Sequence, residues 1–549
     1  MSKKILKQVL VSVISASVFV TSFTGCKKDD SGKTNTDGKK YGVYDVSKPI
    51  EFDVYWNYSW YNSERKWGET TISKEIEQRL NCKINFLKPD GDPAEKLNIM
   101  LTSGELPDVI IMDRDANYKK MIELGMFVPL DDYIKKYPGY RSGVEDSTIN
   151  FSKVNGKVYS ILNWPTTSDH PTANAAWVIN EKIWKQLGSP EIKTLDDLLA
   201  YTKKVKESGI KVGGKDVVPM QFDPGSYQNG LYELYNSYGG VGSVSEDMVY
   251  QPDGSNELKF FMNDKKWESA MLFANKMWNS GVMNSDYFVE TAQQKDDKRN
   301  SGRVAVYVSS NGVNEARDGM NSWKTTDPDG KYIVIEPPAA ANVKQSDVMT
   351  GTFNRLGWNS ICITKSAKDP ERIFEVLDWI ASNEGQLITF HGPKGVLWDE
   401  LDSNGFPVIK KNRSDLSDKE GKDLACEVFS MPGMSKWVDE SKVAADNRKP
   451  EEQRDFVIQA QSKIAWKHSK DVTEFTGLFT DPNTDEGIAF TQVQDLVRTA
   501  IPKIVMAKDE TAVKSLIQET INQANKLGFD KVEKFKTSKW KENLKALGK

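Results

Sequence analysis

Between residues 50 and 113 the apolar pattern switches between two periods, and that alternation limits the fold more than any other stretch. IEFDVYW (50–56) alternates as a strand does. Ile72, Ile76 and Leu80 then recur at helical spacing and predict a helix around Ile72 to Leu80. CKINFLK (82–88) predicts a second strand. PAEKLNIMLTSG (93–104) predicts a helix that opens near Pro93 and closes at Gly104, and LPDVIIMD (106–113) a buried strand ending on a carboxylate. A β-α-β-α-β run joins parallel strands through crossover helices, so the fold class is α/β with a mainly parallel sheet. Ligand sites in such sheets lie beyond the carboxyl ends of the strands. Asn57, Tyr58, Asp113 and Arg114 fall at those ends.

The same alternation returns further on. VNGKVYSIL (154–162) leads to the apolar strand AAWVIN (175–180), which runs into a helix through Leu187. Another helix starts at Thr194, which with Asp197 makes a capping-box pattern. GRVAVYVSSNG (302–312) and KYIVIEPPAA (331–340) are later strands, the second ending in a Pro-Pro segment suited to a crossover. WNSICITKSAKDPERIFEVLDWIASNEG (358–385) gives a strand, an Asp369 cap, Pro370 at the first helical position and a helix with Ile373, Val376, Leu377 and Ile380 inward. Residues 488–549 read as largely helical. About 500 residues are too many for one hydrophobic core, which predicts two or more lobes. No tandem repeat is visible.

The amino terminus reads as an address. Lys3, Lys4 and Lys7 precede an apolar run from Val9 to Val20, too short to span a bilayer but suited to a secretory signal. Thr24 and Gly25 then stand before Cys26. This stretch resembles a bacterial lipobox, with Phe23 where Leu is usual, and it implies a signal peptide over 1–25 and lipidation of Cys26. An ordinary secretion signal that leaves a free thiol is the alternative. Residues 27–48 are almost free of apolar side chains, which predicts a flexible tether over 26–48. The expected location is the extracellular face of the cytoplasmic membrane, anchored by lipid with no spanning segment after residue 26.

Composition narrows the chemistry. The net charge is −4 with signs mixed along the chain, so nucleic acid is not expected as a partner. Cys82, Cys362 and Cys426 allow at most one disulfide. His170, His391 and His468 share no ligand spacing, and no metal or cofactor is expected. DPNTDEGIAFTQ (481–492) has an EF-hand-like alternation, but Gly487 falls one position late and Gln492 replaces the bidentate Glu, so it reads as an Asp/Asn-rich turn. DPDGK (327–331) is a turn between strands. No GxSxG elbow, P-loop or HExxH is present. The 78 acidic residues could always supply a glycosidase pair, so their presence decides nothing.

The aromatic residues are more telling. Fifteen Trp and nineteen Tyr include clusters beside Asn, Asp, Gly or Pro: YWNYSW (55–60), LNWPTTSD (162–169), DPGSYQNG (223–230) and RLGWNS (355–360). Flat apolar faces alternating with hydrogen-bonding groups suit a sugar ring, which presents C–H faces and a rim of hydroxyls. Any single Trp of this kind is more often part of a core.

Together these pieces resemble the extracellular solute-binding proteins of bacterial ABC sugar importers, in particular the large lipoprotein branch of Gram-positive bacteria. LNIMLTSGELPDVIIMD (97–113), GMFVPLDDYIKKYP (125–138), WVINEKIWKQLGSPEIKTLDDLLAYTKKVK (177–206) and NSICITKSAKDPERIFEVLDWIASNEGQ (359–386) carry the resemblance by order and spacing. It implies a two-lobed, type II periplasmic-binding-protein-like fold, with one ligand in a cleft between lobes that close about a hinge. The expected division is 49–172 with 350–405 as lobe 1, 173–349 as lobe 2, and 406–549 as a mostly helical region packing on both. The implied partners are an oligosaccharide and an ABC permease, with the chain itself a monomer and not an enzyme. The alternatives are a lipid-anchored polysaccharide-degrading enzyme and a surface lipoprotein without transport. Carrying the family's cleft onto this sequence gives Asn57, Tyr58, Trp60, Asp113, Arg114, Trp164, Tyr227, Asn311 and Trp358 as ligand contacts. Asp223, Asn359, His391 and Trp398 extend the set, while Lys394 departs from the family's usual acidic residue and is not carried over.

Overall fold

The structure, a computed structural model, describes residues 40–61, 66–223, 229–240, 242–411, 416–424 and 431–549. Cys26, Tyr227 and Cys426 lie outside the described residues, as do the expected signal peptide and most of the expected tether. The main strands are β1 (Ile50–Trp56), β2 (Cys82–Leu87), β3 (Val109–Met112), β4 (Ile161–Asn163), β5 (Ala176–Asn180), β6 (Val218–Phe222), β7 (Val304–Ser309), β8 (Tyr332–Ile335), β9 (Gly351–Phe353), β10 (Asn359–Ile363) and β11 (Ser469–Asp471). The helices used below are α1 (Thr71–Leu80), α2 (Pro93–Ser103), α3 (Leu195–Glu207), α4 (Lys265–Asn279), α5 (Gly312–Trp323), α6 (Pro370–Ala381), α7 (Asn383–His391), α8 (Ser435–Asn447), α9 (Asp485–Val505), α10 (Glu510–Lys526) and α11 (Phe529–Ala546).

Two sheets organise the molecule. The first has the order β2-β1-β3-β10-β4 and the second β6-β7-β5-β8. β1 runs parallel to β2 and β3, and β10 runs antiparallel to β3 and β4. In the second sheet β6 and β7 are parallel while β5 opposes β7 and β8. Each sheet is therefore parallel but for one reversed strand. In each case that strand, β10 or β5, is the one the chain enters on arriving from the other sheet.

Local signals fix the helices where the pattern predicts them. Thr70 caps α1 in a capping box with Ser73, and Ile72, Ile76 and Leu80 are buried. Asp92 caps α2, Pro93 takes its first position, and Gly104 ends it at φ 72, a conformation open to glycine at no steric cost. Thr194 and Asp197 close the box on α3. Asp369 and Pro370 start α6, whose Ile373, Val376, Leu377 and Ile380 are fully buried beneath the first sheet.

The core of the first sheet joins Phe52, Val54, Ile111, Ile361 and α6 to Met431 and Met434. The core of the second joins Trp177, Met220, Phe222 and Trp267 of α4 to Val493, Ile504, Ile517, Phe529 and Trp540 of α9, α10 and α11. On the second sheet's other face Val178 and Tyr307 pack with Met320 and Trp323 of α5 and with Ala460 and Ala465. Between the sheets, β9 pairs in parallel with β11. Arg355 bridges this junction, 3.1 Å from Asp471 and 3.4 Å from Glu145. His468 sits between the Val348 carbonyl, at 2.7 Å, and the Glu336 carboxylate.

The expected tether over 26–48 is too long. Lys40–Tyr41 pairs antiparallel with Tyr44–Asp45, and the Tyr44 hydroxyl donates to Asp378 at 2.8 Å from a buried position. Tyr41, Tyr44 and Val46 pack this segment against the first core. At 481–487 the Asp481 carboxylate accepts hydrogen bonds from Asn483 within its own turn, and Thr484 caps α9. Cys82 and Cys362 are buried thiols, and burial pushes the Cys82 thiol up to about 12.

Candidate functional site

Three chain segments meet at one edge of the first sheet. β1 and β3 end there, and because β10 is reversed it begins there. The Asn57 N–H donates to the Ile111 carbonyl at 3.0 Å, which carries the β1–β3 pairing one residue past Trp56. Ser360 pairs with Met112, so the 357–359 segment lies beside Asp113 and Arg114.

The segments bring five aromatic rings together. Trp56 is buried and stacks on Tyr61 with centroids 4.4 Å apart and planes at 6°. That buried pair fixes the 57–60 turn. Above it Tyr58 lies 5.3 Å from Trp60 and 5.3 Å from Trp358, and Trp60 lies 6.0 Å from Trp358. All fifteen tryptophans fall among the described residues, and only two have exposed rings: Trp60 at 63% and Trp358 at 40%. Both belong to this one shelf. Large exposed apolar surface gathered in one place marks an interaction site, whereas scattered exposed side chains need no explanation.

Polar groups flank the shelf. The Tyr58 hydroxyl donates to Asp113 Oδ1 at 2.6 Å, and burial together with that carboxylate raises the phenol well above its usual range. Asp113 is exposed. Arg114 Nη1 donates to the Asn359 carbonyl and Nη2 to the Gly357 carbonyl, each at 2.6 Å, and burial lowers the guanidinium's pKa. Asn359 is fully buried below Tyr58. The described residues of the edge thus carry apolar faces, a carboxylate acceptor and the half-buried Asn57 amide, an arrangement suited to hydroxyl-rich rings.

The structure brings Asn57, Tyr58, Trp60, Asp113, Arg114, Trp358 and Asn359 together. Trp164 follows β4 and touches the same loop through its backbone: a Cβ on Gly357 would fall 2.6 Å from the Trp164 carbonyl oxygen. Its ring turns the other way, edge-on to Phe390 at 5.5 Å and beneath Lys442, with Gly433 leaving room for it. Trp164 also holds φ 57, a conformation unusual for a bulky residue. His391 is buried with Nε2 3.0 Å from Ser441 Oγ, and Trp398 is buried with its indole donating to the Gly392 carbonyl at 2.9 Å.

Asp223 and Asn311 lie at the carboxyl ends of β6 and β7 in the second sheet. Asp223 is buried, with Oδ1 2.7 Å from Lys295 Nζ and Oδ2 accepting from Ser309 at 3.2 Å. Asn311 is exposed and precedes α5. Tyr227 lies outside the described residues. Sequence reasoning passed over Trp56, Tyr61 and Gly357 as parts of the site; the Gly-Trp pair at 357–358 was the available signal. Among the described residues no cluster of three or more His, Cys, Asp or Glu is placed to hold a metal ion, and no helix is long and apolar enough to cross a membrane.

The family model described as bacterial extracellular solute-binding protein matches residues 70–387. The lipoprotein LipO of Bacillus subtilis is 26% identical over 481 residues, which cover 84% of each chain. The polygalacturonan/rhamnogalacturonan-binding protein YtcQ of the same organism is 23% identical over 337 residues, 61% of this chain and 64% of that one. Among solved structures, an HMO-binding solute-binding protein associated with an ABC transporter of Bifidobacterium longum infantis superposes with a TM-score of 0.63 at 17% identity, covering 90% of this chain and 98% of that one.

Proposed function

This chain belongs to the bacterial extracellular solute-binding protein family, and from that premise we propose that it captures an oligosaccharide between its lobes and delivers it to an ABC importer permease. The observation that carries the reading is the convergence of both exposed tryptophans with Tyr58 on one strand-end edge. Sugar rings stack their C–H faces on such a shelf while Asp113 and the Asn57 amide take the hydroxyls. The names of the relatives, which include a polysaccharide-binding protein and an HMO-binding protein, support the same ligand class. In this reading Asn311 meets the ligand from the second lobe. Closure then follows from the ligand's greater affinity for the closed form. Affinity on the order of 8 kcal/mol, micromolar, permits both capture and release. Lipidation of Cys26 holds the protein at the extracellular face of the membrane.

The test is a panel of defined oligosaccharides added to the purified protein. The expected result is a raised melting temperature with at least one sugar, recovered uncleaved. Hydrolysis abolished by a carboxylate substitution would move the assignment to a degrading enzyme. For the anchor, Cys26→Ser should release the protein from the membrane fraction into the medium, and an unchanged membrane fraction would remove Cys26 from that role.

A further inference from the structure

We propose that Arg114 is a positioning residue that sets the Trp358 half of the shelf, and that the shelf therefore selects an uncharged sugar over an anionic one. The inference rests on the oligosaccharide reading above and goes on to name the ligand's charge. Arg114 is the one cationic side chain among the described residues of the edge (57–61, 113–114 and 357–359), and its fork points at main chain. Nη1 and Nη2 hold the carbonyls of Asn359 and Gly357, the two residues that flank Trp358. Fixing both neighbours fixes the direction of the Trp358 side chain between them.

The loop is gripped from its other side as well. Gly357 has φ 70, and a Cβ there would come within 2.1 Å of the Asn163 carbonyl oxygen. The Trp358 N–H donates to that same oxygen at 3.2 Å. The loop is therefore clamped between the guanidinium and the end of β4, with the indole left 40% exposed beside Tyr58 and Trp60. A planar fork can reach two carbonyls at fixed spacing, which a lysine ammonium cannot reproduce.

Among the described residues of the edge, the charge presented outward is then negative. Asp113 is exposed, with Oδ1 accepting from Tyr58 and Oδ2 turned to no hydrogen-bond donor among the described residues. A carboxylate in that position accepts a sugar hydroxyl and repels a uronate. At the second sheet's edge the Lys295 ammonium is buried against Asp223, so it offers no outward cation either.

Two measurements by titration calorimetry test the inference. In the first, the purified protein is titrated with neutral oligosaccharides and with oligogalacturonides of matched length. A neutral ligand should bind at least tenfold tighter than its uronide counterpart, and Asp113→Asn should narrow that gap several-fold. A uronide bound as tightly as the neutral sugar overturns the inference and leaves the oligosaccharide reading intact. Absence of binding by either class overturns that reading, and this inference with it. The second measurement is a double-mutant cycle on the best neutral ligand. Arg114→Lys should weaken binding at least tenfold in the native background and by less than twofold in the Trp358→Ala background, because the arginine acts through the indole. Losses that simply multiply would make Arg114 an independent ligand contact and overturn the positioning role. The Asp113→Asn comparison alters an exposed group, so the charge claim stays falsifiable even if Arg114→Lys does not fold.

Discussion

Trp358 and Glu233 are two residues whose environments lead to opposite predictions. Trp358 is exposed on the shelf and held by its backbone, so the ring itself contributes little to folding. Trp358→Ala should weaken the best ligand by about 1–3 kcal/mol, as for an anchor buried on binding, and leave the melting temperature of the free protein nearly unchanged. Unchanged affinity in calorimetry would take Trp358 out of the site. Glu233 is buried in the helix Asn229–Asn236, where its carboxylate accepts from the Asn236 amide at 3.0 Å. Burial raises its pKa from 4.5 to about 8. Between those values the unfolded chain has lost its proton while the folded chain keeps one, so stability falls as pH rises through this window and levels off above it. Glu233→Gln should remove that decline, and by pH 8.5 the variant should gain on the order of a few kcal/mol over the native chain relative to pH 4. Urea unfolding at the two pH values reads it directly; parallel pH profiles would show that the carboxylate is not buried uncharged.

At the scale of elements, the reversed strand β10 creates the site. A strand that entered the first sheet in the common direction would place Trp358 at the opposite edge, away from Tyr58 and Trp60. Its entry loop leaves no room for a side chain at Gly357, where the positive φ and the 2.1 Å approach to Asn163 oxygen act together. Gly357→Ala should therefore destabilise the protein by about 1–3 kcal/mol and weaken ligand binding as well, since the displaced loop carries Trp358. A variant with native affinity would show that the loop tolerates a Cβ. The elements themselves were legible in the sequence where short-range chemistry specifies them. The Thr194–Asp197 box, the Asp369–Pro370 start and the Gly104 stop all appear where the residues placed them. The 40–45 hairpin was not legible, because two strands of two residues leave no periodicity and only Tyr41, Val43 and Tyr44 distinguish them from a tether.

Across the whole molecule, the last three helices do more than cover the lobes. Phe529, Val532 and Trp540 share one core with Trp267, Phe260 and Met271 of the second lobe. The Lys536 ammonium, fully buried, pairs with Asp247 at 2.6 Å and donates to the Leu478 carbonyl at 2.7 Å. A chain ending at Thr484 should lose cooperative unfolding in that lobe and expose apolar surface to dye, whereas an intact sharp transition would show that α9, α10 and α11 are accessory. The α/β class, the strands and helices of residues 50–113, β5, β7, β8, β10 and α6 and a set of candidate aromatic residues were legible in the sequence by itself, because periodicity, caps and glycine stops act over a few residues. β6 of the second sheet and the helices α4 and α5 were not. The sequence did not separate Trp358 from Trp164, since both follow a strand or loop beside Asn, Gly or Pro. Only the tertiary structure decided between them: one ring stands on the open edge and the other turns onto Phe390 and Gly433. The direction of a side chain after a strand is set by segments hundreds of residues away, and no local pattern encodes which of them will be there to cover it.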